Sequence, residues 1–198
     1  MNNQYADWYK RLKVKYPIVT EEEWHMLDNI TKLKVIKKGD SFITYGKVAL
    51  YAAFIVSGHF AFAIVDDEGN EKFVRFAFAD DLLSNCESYY RRAPSGIRIF
   101  ALEDSVIRRI NLNRLRPLYD LHMCISTVNL QIYQEIIEQN VEHQYILSLK
   151  SPVKRYKFLL EKRPNLLRRI SLTNIARYLY ISREALSRAR LSILMNNR

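Results

Sequence analysis

The chain has 198 residues, 48% hydrophobic and 12% aromatic, a composition that excludes a disordered tail and allows one large core or two small ones. Its formal charge of +10 is uneven: from Lys150 onward 13 Lys and Arg stand against Glu161 and Glu184, whereas the preceding residues carry 18 basic and 19 acidic side chains. A near-neutral body joined to a basic C-terminal quarter points to a polyanion partner for that quarter, with DNA first and RNA or membrane phosphates open on charge alone.

The start MNNQYADWYK is polar and no apolar run approaches a transmembrane span, so a cytoplasmic protein with no membrane partner is expected. Trp8, Leu12, Trp24, Leu27 and Ile30 anchor one or two short helices in residues 1–31, with Thr20 before Glu21-Glu22-Glu23 as a helix start. From Leu33 the pattern changes to short runs separated by turn residues. These are 33–36, 41–45, 49–56, 59–65, 72–78, 97–102 and 106–110, with Asp66-Asp67-Glu68-Gly69-Asn70 turning a hairpin. Regularly spaced strands predict an α+β protein whose N-terminal part is an antiparallel jelly-roll barrel. Residues 80–95 between the runs are irregular and polar, either a surface excursion or the lip of a pocket.

Met123 to about Leu149 lacks proline and glycine and reads as one long helix. Ile125, Val128, Ile132 and Ile136 form an apolar seam on it, and such a helix either lies across its own barrel or pairs with a second copy; the helix-turn-helix pattern downstream favours pairing. Ser151-Pro152 ends the helix and hinges into the basic quarter. There, Leu172, Ile175, Ala176 and Leu179 fall at one helical phase and Leu186, Ala189 and Ile193 at a second, with Tyr180-Ile181-Ser182 between them. That is a helix-turn-helix pattern, with Ser171 and Ser182 as N-caps. Tyr180 occupies the turn position where positive φ favours glycine, so either the turn is rearranged or it is strained. Few residues follow Ile193, so no wing is expected after the second helix. The expected division is residues 1–121 for a sensor with N-terminal helices, 122–150 for the long helix and 151–198 for the reading head.

Arg183, Glu184, Ser187 and Arg188 share the polar face of the second helix. An arginine can bond guanine O6 and N7 together and a glutamate can accept from cytosine N4, so Arg188 and Glu184 together could read a G·C step. Ser171, Thr173, Arg168, Arg169, Arg177 and Arg190 are placed for phosphate. Cys86 and Cys124 lack a Cys-x-x-Cys spacing, and no metal or iron–sulfur site is expected. His25, His59, His122 and His143 read as packing or surface residues. The chain has no P-loop and no nucleophile elbow, and no enzyme is expected.

The order KKGDSFITYG, hairpin, ALEDS, long helix and terminal helix-turn-helix resembles the Crp/Fnr family of bacterial transcription regulators from about Leu33 to Leu194. The most specific part is Arg155-Tyr156, Leu159-Leu160, Pro164, Ile170, Ile175-Ala176, Tyr178-Leu179, Ile181 and Leu186-Ser187-Arg188. The resemblance implies a cyclic-nucleotide-binding-like domain, a homodimer, double-stranded DNA bound at an inverted repeat, and RNA polymerase as a partner. It also implies that Arg183, Glu184, Ser187 and Arg188 contact bases. Members that bind cyclic nucleotides carry a Gly-Glu pair for ribose and an Arg-Ser pair for phosphate, and here those positions hold Ser84-Asn85 and Ser95-Gly96. The phosphate arginine is missing, and a buried cyclic phosphate without a cation is heavily penalised. Cyclic AMP by the usual route is therefore not expected, no cofactor is identified, and an effector of another kind stays open. Arg91, Arg92 or Arg98 could substitute if the loop were rearranged. The competing expectation is a ligand-binding or protein-interaction module whose basic tail binds RNA or a partner protein.

Overall fold

The computed structural model describes the backbone of residues 2–196 and the side chains of residues 8–195. They form two compact units, residues 2–62 with 76–136 and residues 63–75 with 137–196. The first begins with α1 (Asn2–Lys15) and α2 (Glu21–Ile30). Thr20 starts α2 as expected: its hydroxyl accepts the Glu23 N–H, and the Glu23 carboxylate accepts the Thr20 N–H. Glu21, Glu22 and Glu23 thereby sit at the positive end of the helix dipole.

Eight strands follow: β1 (Thr31–Ile36), β2 (Ser41–Ile43), β3 (Tyr51–Ser57), β4 (His59–Val65), β5 (Glu71–Phe78), β6 (Leu82–Leu83), β7 (Arg98–Ala101) and β8 (Ser105–Asn111). They make two four-stranded sheets, ordered β1-β8-β3-β6 and β2-β7-β4-β5, a jelly roll whose sheets do not close into the expected barrel. In the antiparallel register Lys32 lies opposite Arg109 and Tyr51 opposite Asn111. The irregular segment holds β6 and α3 (Cys86–Arg91). Elements of two and six residues are too short for periodicity to show.

After β8 come α4 (Leu112–Leu121) and α5 (Met123–Ser148). The core of the first unit gathers Trp8 and Leu12 of α1, Tyr16 just after it and Trp24 of α2 against Ala52 and Val56 of β3 and Ile125, Val128 and Ile132 of α5. This corrects the expected dimer seam. Ile125, Val128 and Ile132 are between 5% and 8% exposed, and Ile136 is packed against the same cluster, so all four face their own chain. The seam was apolar because helix and sheet need a shared core, not because a second helix fills it. On the opposite side of α5, Met123, Leu130, Ile137, Val141 and Tyr145 are each more than half exposed and recur at seven- and four-residue spacing.

The second unit adds α6 (Pro152–Lys162), α7 (Pro164–Arg169), α8 (Leu172–Leu179) and α9 (Arg183–Asn196). Its own core includes Ile146, Leu159, Ile175, Leu179, Leu186 and Ala189, with α6 and α8 both packed on α9. Ala176 is 4% exposed, small where α8 must meet α9 closely, as the sequence pattern requires.

Gly58 links β3 to β4 at φ +97°, and a Cβ there would stand 2.9 Å from the Ser105 Cα. Gly58→Ala is expected to lose on the order of 2–4 kcal/mol of stability, strain and overlap acting together. Urea unfolding of the full chain measures it, and a loss below about 1 kcal/mol would contradict this account of the turn.

Candidate nucleic-acid interface and sensor cassette

The helix-turn-helix is built by α8, the turn and α9. Ser171 caps α8, its hydroxyl accepting the Asn174 N–H at 3.3 Å, and Ser182 caps α9 by accepting the Ala185 N–H at 3.1 Å. Between them Tyr180 adopts the left-handed conformation, φ 54° and ψ 45°. The turn is therefore kept and strained, at a cost of about 1–2 kcal/mol for a non-glycine residue. Compensation comes from its ring. The ring meets His143 edge-on at 5.7 Å, the Lys72 ammonium lies 5.7 Å above it, and burial pushes the phenol pKa up.

Arg183, Glu184, Ser187 and Arg188 are all exposed and occupy the first two turns of α9, while Leu186 and Ala189 on its other side are buried. One face is thus held by the core and the other is open to solvent. Glu184 is held below the usual carboxylate range by its own backbone N–H and by the Ser182 hydroxyl. At neutral pH it is an acceptor, which matches a cytosine amino group and mismatches a phosphate.

Of the residues placed for phosphate, Arg168 and Arg169 end α7, Ser171 caps α8, and Thr173 lies exposed in its first turn, so these four sit at one helix junction. Arg190 is half-buried on α9. Arg177 is engaged differently from the expectation: the Glu71 carboxylate in the β4–β5 hairpin accepts from its Nη1 at 3.5 Å, and its guanidinium lies 5.5 Å over the Phe73 ring. The hairpin residues Glu71, Lys72 and Phe73 thus contact the helix-turn-helix, which no local sequence pattern reveals.

Three further residues have partners that no local sequence pattern reveals, backbone carbonyls for two of them and a carboxylate for the third. Arg155 on α6 donates to the carbonyls of Leu149 at 2.7 Å, Leu147 at 2.9 Å and Leu179 at 2.8 Å. His143 on α5 pairs its Nε2 with the Tyr178 carbonyl at 2.8 Å and stacks on the Tyr178 ring at 4.1 Å. Arg163 holds the Glu142 carboxylate through Nε at 2.7 Å and Nη2 at 3.1 Å.

In the jelly roll, the expected ligand cassette is closed on itself. Asn85 caps α3 and donates from Nδ2 to the Ser95 hydroxyl at 2.8 Å, while that hydroxyl, 3% exposed as a residue, donates to the Ile97 carbonyl. Ser84 lies 3.1 Å from the Cys86 thiol, which in turn hydrogen-bonds the Tyr133 phenol of α5. Gly96 sits in open space beside Ser95. The three arginines offered as substitutes are not brought to one point. Arg91 pairs with Glu87 on the exposed side of α3, Arg92 donates to Asn113 and stacks over Tyr89, and Arg98 donates to Ser41 and to the Gly39 carbonyl. Among the described residues no group of His, Cys, Asp and Glu could hold a metal ion, and no helix is long and apolar enough to cross a membrane.

A jelly roll, a long helix and a terminal helix-turn-helix define the fold of the Crp/Fnr-type transcription regulators, and comparison with solved structures agrees. A regulator of the Crp/Fnr family from Eubacterium rectale aligns with a TM-score of 0.69 at 16% identity, covering 91% of this chain and 86% of that one. CooA from Carboxydothermus hydrogenoformans, in a mutant form, gives 0.73 at 14% identity, covering 89% and 81%. The c-di-GMP-responsive global regulator CLP from Xanthomonas campestris gives 0.70 at 14% identity, covering 88% and 91%. No protein-family model and no curated protein sequence matches the chain.

His143 supplies a pH prediction. Burial pushes its pKa down, outweighing the Tyr178 carbonyl and the Glu142 charge, which favour the proton. The unfolded chain therefore binds the proton more readily. The stabilisation is complete above the ordinary imidazole value of 6.5 and is lost as pH falls through it towards the lower folded-state value. Unfolding of the C-terminal unit between about pH 7 and 5 should show stability falling with pH in the parent chain and a flatter profile in His143→Gln. Equal slopes would remove His143 as the cause.

Proposed function

We propose that this chain is a dimeric, sequence-specific regulator of transcription of the Crp/Fnr type, with α9 as its base-reading helix and no enzymatic activity. The observation that carries the proposal is the exposed quartet Arg183, Glu184, Ser187 and Arg188 on the first two turns of a helix whose other face is buried. A reading helix needs that polarity and that placement near its N-terminus. The basic C-terminal quarter supplies the electrostatic attraction to duplex DNA, and Arg168, Arg169, Ser171 and Thr173 at the α7–α8 junction supply phosphate contacts.

The dimer is proposed to form through the exposed stripe Met123, Leu130, Ile137, Val141 and Tyr145 of α5, because a second copy of the same helix offers the matching apolar ridge. Two reading heads then fit an inverted repeat with half-sites about one helical turn apart. In this scheme residues 1–121 sense, 122–150 pair and 151–198 read, in the cytoplasm, with RNA polymerase as the downstream partner. The effector is not cyclic AMP bound in the family's usual way, since the positions of its ribose and phosphate ligands are spent on the Asn85–Ser95 bond.

Selection of bound duplexes from a random pool should return an inverted repeat. Arg188→Ala should then weaken binding to that site by about 1–3 kcal/mol and relax one base position, leaving binding to unrelated duplex unchanged. An unaltered preference would refute the base-reading role of Arg188. Independently, Ile137→Glu should shift sedimentation from dimer to monomer at micromolar concentration, because it buries a carboxylate in an apolar seam. A dimer that persists would place the interface elsewhere.

A further inference from the structure

Beside the first turn of α4 lies a cavity of about 170 Å³, lined by Ile30, Lys32, Tyr51, Arg109, Asn111 and Arg114. None of these residues belongs to the ligand cassette or to the helix-turn-helix. Three of the six are cations, and each is placed where folding alone disfavours it. Lys32 on β1 is directly opposite Arg109 on β8, and like charges so paired destabilise a sheet. Arg114 is the third residue of α4, at the positive end of the helix dipole, in a first turn that holds no acidic residue. Among the described residues no carboxylate pairs with Lys32, Arg109 or Arg114.

The site is also held in shape. The Arg109 guanidinium lies 4.1 Å over the Tyr51 ring, which limits its motion, and Asn111 caps α4 by accepting the Asn113 N–H at 2.9 Å. Three converging cations and a helix N-terminus around a concavity form an anion receptor. At about 30 Å³ per liquid water the cavity holds on the order of five or six heavy atoms, and a phosphate has five. A dianionic phosphoryl group would relieve the repulsion between Lys32 and Arg109 and occupy the dipole end that Arg114 crowds. We propose that this cavity binds a phosphoryl group, as inorganic phosphate or the head of a small phosphomonoester whose remainder leaves through the open mouth. Duplex DNA carries the same chemistry, and the test separates the two sources.

The experiment is calorimetric titration of the full chain with inorganic phosphate at fixed ionic strength, with chloride as the control anion, repeated on Lys32→Ala, Arg109→Ala and Arg114→Gln. Saturable binding of one phosphate per chain is expected, weakened about tenfold or more by each substitution. Lys32→Ala should also raise the melting temperature of the unliganded chain while abolishing its rise with phosphate. A merely structural lysine would not produce that opposite pair of shifts. No saturable binding, or binding indifferent to the three substitutions, would overturn the proposal. Phosphate binding eliminated by saturating duplex DNA would overturn it as well, because the anion would then be the DNA backbone.

Discussion

One guanidinium joins the ends of two helices, α5 and α8, around which the C-terminal helices are arranged. α5 finishes without a basic residue in its last turn, and α8 finishes in a left-handed turn, so both leave carbonyls in need of donors. Arg155, one turn into α6, supplies three N–H groups to Leu147, Leu149 and Leu179. The planar fork matters, since an ammonium could not serve three fixed carbonyls from one position with the same rigidity. α6 itself begins at Pro152 without a side-chain cap, so its register leans on Pro152 at the helix start and on these bonds. Because α6 and α8 both pack on α9, the direction in which the exposed quartet Arg183, Glu184, Ser187 and Arg188 points follows from them.

The same region tolerates a strained turn by surrounding it. Tyr180 costs about 1–2 kcal/mol of backbone strain, offset in part by covering its half-buried ring. His143 and Lys72 do that covering, from α5 and from the β4–β5 hairpin. His143 also stacks on Tyr178 and bonds its carbonyl, so a single imidazole packs on both aromatic residues that flank Leu179. The hairpin contributes further through Glu71 and Phe73, which engage Arg177. A cation that could have served a DNA phosphate is in this way drawn to a carboxylate of its own chain.

α5 divides its two sides between different tasks. One side, with Ile125, Val128 and Ile132, completes the core around Trp24, and the opposite side keeps Met123, Leu130, Ile137 and Val141 exposed. Tyr133, between those sides, reaches Cys86 next to the closed cassette. A change at residues 84–86 is therefore one hydrogen bond away from α5.

Much of this protein was determined by local sequence. The strands, the long helix, the Thr20, Ser171 and Ser182 caps, and the polar face of α9 follow from periodicity, turn residues and capping chemistry, which act within a few residues. That Ser95-Gly96, and not an Arg-Ser pair, precedes β7 was equally legible, because a cation is either in the chain at that place or it is not. Tertiary structure alone decided the rest. Ile125, Val128, Ile132 and Ile136 form an apolar stripe whichever partner covers it, and only the folded chain shows that its own sheet and N-terminal helices do so. Arg155, His143 and Arg163 act on backbone or carboxylate groups 6 to 35 residues away, and the opposition of Lys32 and Arg109 is a matter of strand register. Such pairings depend on which segments meet, and no local pattern encodes that.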